Sequence, residues 1–347
     1  MKIISNSAFD SAWSTRDVEA LSSSHPDIVH FREFGKSLFK GMLAVMSLIW
    51  ENRKNSVVWI HQCAGHASLI PCLAGKLFNH KNVVFAVGVD SACFPEFGYG
   101  HYRKWTTRVS TRLSFKYADL ICPVDSTMIG YDYTFWPTKH TRQGITAFLP
   151  NLKTPFYPIN NAYDPNDWGV DKSWHDRKVD VIGVFVSKER NRSFLKGIDM
   201  LLHLAEKSPF LRFRIIGSVA KGTQVPANCE VFSNCSQGEL RAHYNESKII
   251  AQVSITEGFP NTLCEGMACG CFPIGSNVSS IPAIVSNFGL ILERRDAEMF
   301  EGLVSQALCI VDSGLSKPES ISQSIFERYS IQTRRSKLLE AVRMAAG

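Results

Sequence analysis

Apolar and polar positions alternate along this chain in two registers. Short runs dense in Val, Ile and Phe stand at 2–4, 27–31, 57–60 and 83–87. Between them, at 15–21, 34–53 and 67–78, apolar residues return every three or four positions. A short apolar run fits a strand buried on both faces, and a 3.6-residue return fits an amphipathic helix, so the first half predicts the βαβ rhythm of a doubly wound parallel sheet. A Gly, Pro and aromatic loop follows at 94–101, then a helix between Tyr102 and Tyr117 and a buried strand at 118–124. The second half repeats the rhythm more regularly. Strands are predicted at 179–186, 212–216, 230–232, 249–254, 272–275 and 290–292, and helices at 197–207, 238–245, 297–312, 320–328 and 331–346. The polar, Trp-bearing stretch 165–177 separates the halves as a linker.

At 347 residues the chain exceeds the size at which one core keeps growing, which calls for two domains. Hydrophobic residues at 45% and charged ones at 20% describe an ordinary globular protein. The net charge of +6 is not gathered into a run of five or six Lys/Arg, so a nucleic-acid arm is not expected. That balance suits an enzyme that meets anionic nucleotides or an anionic membrane face. The helix between Tyr102 and Tyr117 carries Arg103, Lys104, Arg108, Arg112 and Lys116 among apolar residues, and either rests on such a membrane or turns its apolar stripe to the core. Ten cysteines without a C-x-x-C pair, and a start (MKIISNSAFDSAW) with no apolar leader, predict a cytoplasmic protein, at most peripheral to the membrane. The apolar helix at 38–50 contains Lys40 and is too short to span a bilayer. No G-x-G-x-x-G occurs, which weighs against a nicotinamide dehydrogenase. His61 and His66 lack the interposed carboxylate of a zinc helix, and there is no Asp-x-Asp, so no metal and no cofactor are expected.

The densest chemistry lies at 255–285, ITEGFPNTLCEGMACGCFPIGSNVSSIPAIV. A strand runs into Glu257-Gly258-Phe259-Pro260, a helix begins near Thr262, and Gly270 ends it before the next strand. In an open α/β sheet such a turn sits at the carboxyl edge, where ligands bind, and the amides of Asn261, Thr262 and Leu263 open a helix N-terminus suited to a phosphate. Glu265 has two readings: a site carboxylate, or the far half of a capping box, Thr262-x-x-Glu265. Glu257 has no evident capping or packing duty.

This stretch resembles the signature of the family-four retaining glycosyltransferases, whose pattern is a glutamate, seven residues, a second glutamate, a small-residue helix and a Pro-bearing strand. The strand at 118–124 (ADLICPV) and the segment FYPINNAYD at 156–164 resemble the same family, with Asn161-Ala162 where an Asn-Gly is common. The resemblance implies the GT-B fold, an α/β architecture of two Rossmann-like doubly wound domains facing across a cleft. Residues 1–165 would take the acceptor, 177–319 would hold the donor, and 320–347 would pack back toward the first domain. It implies that Glu257 lies against the donor sugar, that Glu265 holds the ribose, and that Gly258, Phe259, Pro260, Asn261, Thr262 and Leu263 line sugar and diphosphate. Lys196, before Gly197, matches the family's diphosphate lysine. The second cation falls to Lys188, at the register position, or to Arg190 or Arg192 in a longer loop. Gly217 resembles the nucleoside-side turn.

Three departures stand out. Ser279 and Ser280 replace two glycines, Ala283 replaces a glutamate, and Gly88-Val89-Asp90 stands where family members often carry an acceptor-side histidine, so that Asp90 takes part of its role or the acceptor site is built differently. The function implied is retaining, metal-independent transfer of a sugar from a nucleotide diphosphate donor to a hydroxyl of a glycan or lipid-linked acceptor. The alternatives are an epimerase or phosphorylase on the same fold, or a non-catalytic nucleotide- or carbohydrate-binding protein.

Overall fold

The structure, a computed structural model, describes residues 1–7, 12–32, 34, 37–185, 190–219, 222–233 and 235–347, with backbone alone at 12–13 and 190–192. The chain forms two compact units. One comprises Met1–Asp132, His140–Asn161 and Gln332–Gly347, the other Tyr133–Lys139 and Ala162–Ile331.

The first unit is built from β1 (Lys2–Asn6), α1 (Ala12–Ser22), β2 (Val29–Phe31), α2 (Leu38–Glu51), β3 (Val57–His61), α3 (His66–Ala74), β4 (His80–Ala86), α4 (Trp105–Tyr117) and β5 (Leu120–Pro123). A small hairpin, β6 (Tyr131–Asp132) and β7 (Arg142–Gln143), and the short α5 (Ile145–Phe148) follow. Strands β1 to β5 make one parallel sheet in the order β2-β1-β3-β4-β5. Right-handed crossovers put a connection that steps one way across a sheet on the opposite face from those that step the other way. The step from β1 to β2 therefore leaves α1 on one face, and the three return steps put α2, α3 and α4 together on the other. The cores agree. Ile4, Phe31, Val57 and Trp59 pack against Val45 and Ile49 of α2, and Val84, Ala86 and Ile121 against Phe115 of α4.

On that second face a row of polar side chains is also buried. Asn6 Nδ2 bonds to His61 Nδ1 (3.1 Å), His61 Nε2 to Asn82 Oδ1 (3.0 Å), and Trp59 Nε1 donates to His80 Nδ1 (3.2 Å). His80 and Asn82 explain why β4 starts three residues before the apolar run at 83–87. Their polarity masks a strand whose polar side chains bond to Trp59 and His61 of β3 and to Asn52 O.

The second unit contains β8 (Val179–Phe185), α6 (Arg190–Leu195), α7 (Ile198–Lys207), β9 (Phe213–Gly217), β10 (Cys229–Phe232), α8 (Gln237–Asn245), β11 (Ser247–Gln252), α9 (Asn261–Ala268), β12 (Phe272–Ser276), α10 (Ile281–Val285), β13 (Leu290–Leu292), α11 (Ala297–Ser313) and α12 (Pro318–Arg328). Its parallel sheet runs β10-β9-β8-β11-β12-β13. Strand order reverses between β8 and β11, so the crevice at their carboxyl ends is the switch point of this sheet.

Two segments differ from the expected division. Residues 165–177 are built into the second unit instead of tethering it. Trp168 and Trp174 are buried, Trp174 Nε1 donates to Gly270 O (2.8 Å), and the buried Arg177 donates to Ser247 O and Cys269 O (2.8 Å each). Helix α12 also stays in the second unit, against α9. Ile321 and Ile325 are fully buried there, and Ser322 Oγ donates to Ala268 O (2.5 Å). Among the last residues it is α13 (Ile331–Ala346) that belongs to the first unit, from Gln332 on. Its Arg334 forks onto Asp17 of α1 (2.7 Å to each carboxylate oxygen) and donates to Asn160 O (2.7 Å).

Candidate active site

The switch point of the second unit gathers the residues singled out at 255–265. β11 ends at Gln252, and the chain continues through Ser254, Thr256 and Glu257, all buried, before α9 begins. Glu257 is 8% exposed. Its Oε1 accepts from Gln252 Nε2 (3.0 Å), Ser254 Oγ (2.8 Å) and Lys196 Nζ. An ionised carboxylate survives such burial only with a cation and hydrogen bonds to meet it, and this one has both.

Lys196 is held in reach by backbone. It stands in the turn between α6 and α7, where Leu195 O accepts from Ile255 N (2.7 Å) just beyond β11. The next residue, Gly197, has φ +77°, and a Cβ there would lie 2.6 Å from Val253 O. The glycine is what lets the turn lie this close to β11. Ile255 is fixed from its other side as well, its carbonyl accepting from the buried Tyr133 hydroxyl (2.9 Å).

The capping box does not form. The residue before α9 is Pro260, which offers no side-chain cap, and Thr262 lies inside the helix with its Oγ1 donating to Gln252 Oε1 (2.7 Å). Gln252 thus joins Glu257 on one side to α9 on the other. Leu263 N, expected to be open, donates to Pro260 O (3.1 Å), whereas Thr262 N has no protein acceptor among the described residues. Asn261 Oδ1 accepts from the Tyr163 hydroxyl (2.9 Å). Half-buried Glu265 faces the buried Tyr244, whose hydroxyl lies 3.4 Å from Oε2. Phe259 is buried edge-on against Tyr329, with centroids 5.4 Å apart. Gly258 O accepts from the buried Ser280 Oγ (3.2 Å). Ser279 sits at φ +50°, a conformation glycine adopts without cost, which is the physical sense of a glycine at this place in the resembling family.

Gly217 closes β9 at φ +137°, and a Cβ on it would fall 1.8 Å from Phe185 O, so no side chain fits where β8 and β9 end. Lys188 lies outside the described residues. Arg190 and Arg192 lie on α6, a helix where the sequence suggested a loop, and only their backbone is described.

In the first unit Asp90 is closed off. It is 0% exposed, with Oδ2 accepting from Ala64 N (3.0 Å) and Cys63 Sγ (3.3 Å), and Oδ1 from Val87 N (2.9 Å) and Gly88 N (3.2 Å). It clasps the loops after β3 and β4, with both carboxylate oxygens engaged. Half-buried His101 was missed by the sequence reading because it lies outside any strand. It bonds through Nδ1 to Thr111 Oγ1 (2.9 Å), and its ring lies 3.4 Å from where a Cβ on Gly65 would stand. Burial lowers its pKa, and the Asp90 charge opposes that in part. Among the described residues no three His, Cys, Asp or Glu side chains converge in a metal-binding group. No helix of the described residues is long and apolar enough to cross a membrane.

Residues 183–311 match the family model for glycosyl transferases group 1. A subunit of the human phosphatidylinositol N-acetylglucosaminyltransferase is 25% identical over 205 residues, a match covering 54% of this chain and 41% of that one. The chain thus spans less than half the length of this relative. Among solved structures, sucrose-phosphate synthase from Thermosynechococcus elongatus superposes with a TM-score of 0.75 at 11% identity, over 99% of this chain and 98% of that one. Anabaena HepE in complex with UDP-glucose gives 0.70 at 14%, over 98% of both chains. The lipopolysaccharide outer core galactosyltransferase WaaB gives 0.65 at 16%, over 99% of both. The chain has the GT-B fold of these glycosyltransferases.

Proposed function

We propose that this protein transfers a sugar from a nucleoside diphosphate donor to a hydroxyl of a glycan or lipid-linked acceptor, with retention and without a metal, in the assembly of a surface glycan, polysaccharide or glycolipid. The observation that carries this reading is the Lys196–Glu257 pair at the switch point of the second unit, next to the N-terminus of α9. As the glycosidic bond breaks, negative charge grows on the leaving phosphate and positive charge on the sugar ring. Lys196 and the first amides of α9 suit the former and Glu257 suits the latter, with charges set before the reaction begins. With no donor bound, the two neutralise each other. An arriving diphosphate competes for Lys196 and leaves the Glu257 carboxylate, still held by Gln252 and Ser254, to orient the sugar. Glu265 would take the ribose, and Gly217 leaves room for the nucleoside. In the first unit His101, not Asp90, is the group suited to an acceptor hydroxyl. Because the diphosphate has protein cations and helix amides to balance it, a divalent ion is not needed.

The UDP-glucose complex of HepE makes uridine diphosphate sugars the first donors to try. Release of nucleoside diphosphate should depend on an added acceptor, persist in chelator, and give a product whose anomeric configuration matches the donor by NMR. Inversion, or activity restored only by manganese after chelation, would refute the corresponding part of this reading. Interconversion of the sugar without an acceptor would turn it toward an epimerase.

A further inference from the structure

A helix on the outside of a sheet needs one apolar face, and α2 has two. Gly41, Val45 and Ile49 are buried against the sheet of the first unit. On the other side Phe39, Leu43, Met46 and Trp50 are 70%, 53%, 55% and 63% exposed. These four recur at helical spacing, so they form one stripe along α2 and not a scatter of surface residues. Next to it, Leu73 of α3 and Leu77 just after it are 42% and 81% exposed. The rim is basic. Arg53 lies over the Trp50 ring at 4.3 Å, Lys40 and Lys54 flank the helix ends, and Glu51 is the one acidic residue in α2.

Helix α4 completes this face. Its exposed side carries Lys104, Arg108, Arg112 and Lys116, each four residues from the last, with Trp105 68% exposed at its start. No acidic residue occurs between His101 and Ala118. Its inward side is Ser110, Thr111, Ser114 and Phe115. The apolar stripe expected of α4 is thus an outward cationic ladder, and the outward apolar stripe belongs to α2. Both helices, with α3 between them, lie on the same face of the sheet.

We propose that the outer face of the α2–α3–α4 layer docks the first unit on an anionic lipid bilayer, with α2 in the interfacial plane, its Phe39-to-Trp50 stripe among the acyl chains, and the α4 ladder on the headgroups. A basic helix surface next to an exposed aromatic and aliphatic stripe is the pattern of interfacial binding, and α2 is too short to span. A second copy of this chain fits less well, because a two-fold contact through this face would set its cations against the same cations. The proposal stands on the first unit alone and does not depend on the sugar-transfer reading.

The test is flotation of the full chain with vesicles of phosphatidylcholine alone or mixed with phosphatidylglycerol. The protein should float with the mixed vesicles and not with the neutral ones. Leu43→Ser with Trp50→Ser should abolish flotation, and Arg108→Gln with Arg112→Gln should lower the partition coefficient about fivefold per charge removed. All variants should melt as the parent does and bind UDP equally well, since neither helix belongs to the unit that carries the switch point. A parent that stays unbound with both vesicle types, or a parent dimer that Trp50→Ser converts to monomer without loss of flotation, would overturn the proposal.

Discussion

Lys196 and Glu257 hold each other while Gln252 and Ser254 hold Glu257, and this division lets charge be separated from shape. Glu257→Gln keeps an oxygen for both neighbours and removes only the charge, and Lys196→Ala removes the cation. Each should lower kcat about a hundredfold with a smaller change in donor affinity, the size of effect seen when one preorganised charge partner is lost. Turnover assays beside calorimetric titration of the donor measure both, and full activity in either variant would end the assignment. His61 supports a second expectation. Burial between Asn6 and Asn82 brings its pKa from 6.5 down to about 4. Below pH 6.5 the unfolded chain protonates this ring while the folded chain does not. Its contribution is therefore complete above pH 6.5 and lost as pH falls toward 4, up to about 3 kcal/mol. Urea unfolding at pH 7 and pH 5 should show a smaller acid loss in His61→Gln than in the parent, and parallel losses would clear His61 of the effect. Glu257, Glu265 and Lys196 could be singled out from sequence because they match a family signature. Gln252 and Ser254 could not, since polar residues near the end of an apolar strand carry no pattern of their own. The clasp of Asp90 was not legible either, because its four donors come from two loops that only folding brings together.

At the scale of elements, α9 bears on the capping reading of Glu265. Thr262-x-x-Glu265 has the spacing of a capping box, but the helix starts two residues too early for it, after Pro260, and Thr262 turns to Gln252 instead. Glu265→Ala should therefore leave the melting temperature within about a degree while raising the donor dissociation constant. A lower melting point with unchanged donor affinity would restore the capping role. Most strands and long helices could be read from periodicity, because the parallel strands are apolar throughout and the helices show one buried stripe. Those displaced have identifiable causes. β4 begins in polar residues that pair across the sheet, and α6 occupies a basic stretch whose Leu195 carbonyl is fixed by Ile255, just past the end of β11. The outward stripe of α2 was hidden by the same periodicity, since a helix with two apolar faces reads as an ordinary hydrophobic one.

For the whole molecule, the division into two halves could be read from length and rhythm, but not the path of the chain between them. It changes unit at 132/133, 139/140, 161/162 and 331/332. Sequence suggests contiguous domains because local patterns carry no record of which core a distant helix joins. The first unit closes with Arg334, 8% exposed, clamped to Asp17, 3% exposed. Removing one partner of a buried pair strands the other charge, so Arg334→Ala should destabilise the first unit by about 3–5 kcal/mol, with Arg334→Lys retaining part of the loss because it keeps charge without the fork. Denaturant unfolding followed by a probe confined to that unit would show it, and an unshifted transition would contradict it. The same clamp sets an order of events during synthesis. Every residue of the second unit has left the ribosome before Gln332–Gly347 emerges. Until then Asp17 waits without its arginine, and the half translated first is the half that finishes folding last, the reverse of the usual N-terminal-first order. A nascent chain stalled before Gln332 emerges from the exit tunnel would carry a closed second unit and a first unit still open to chaperones and proteases.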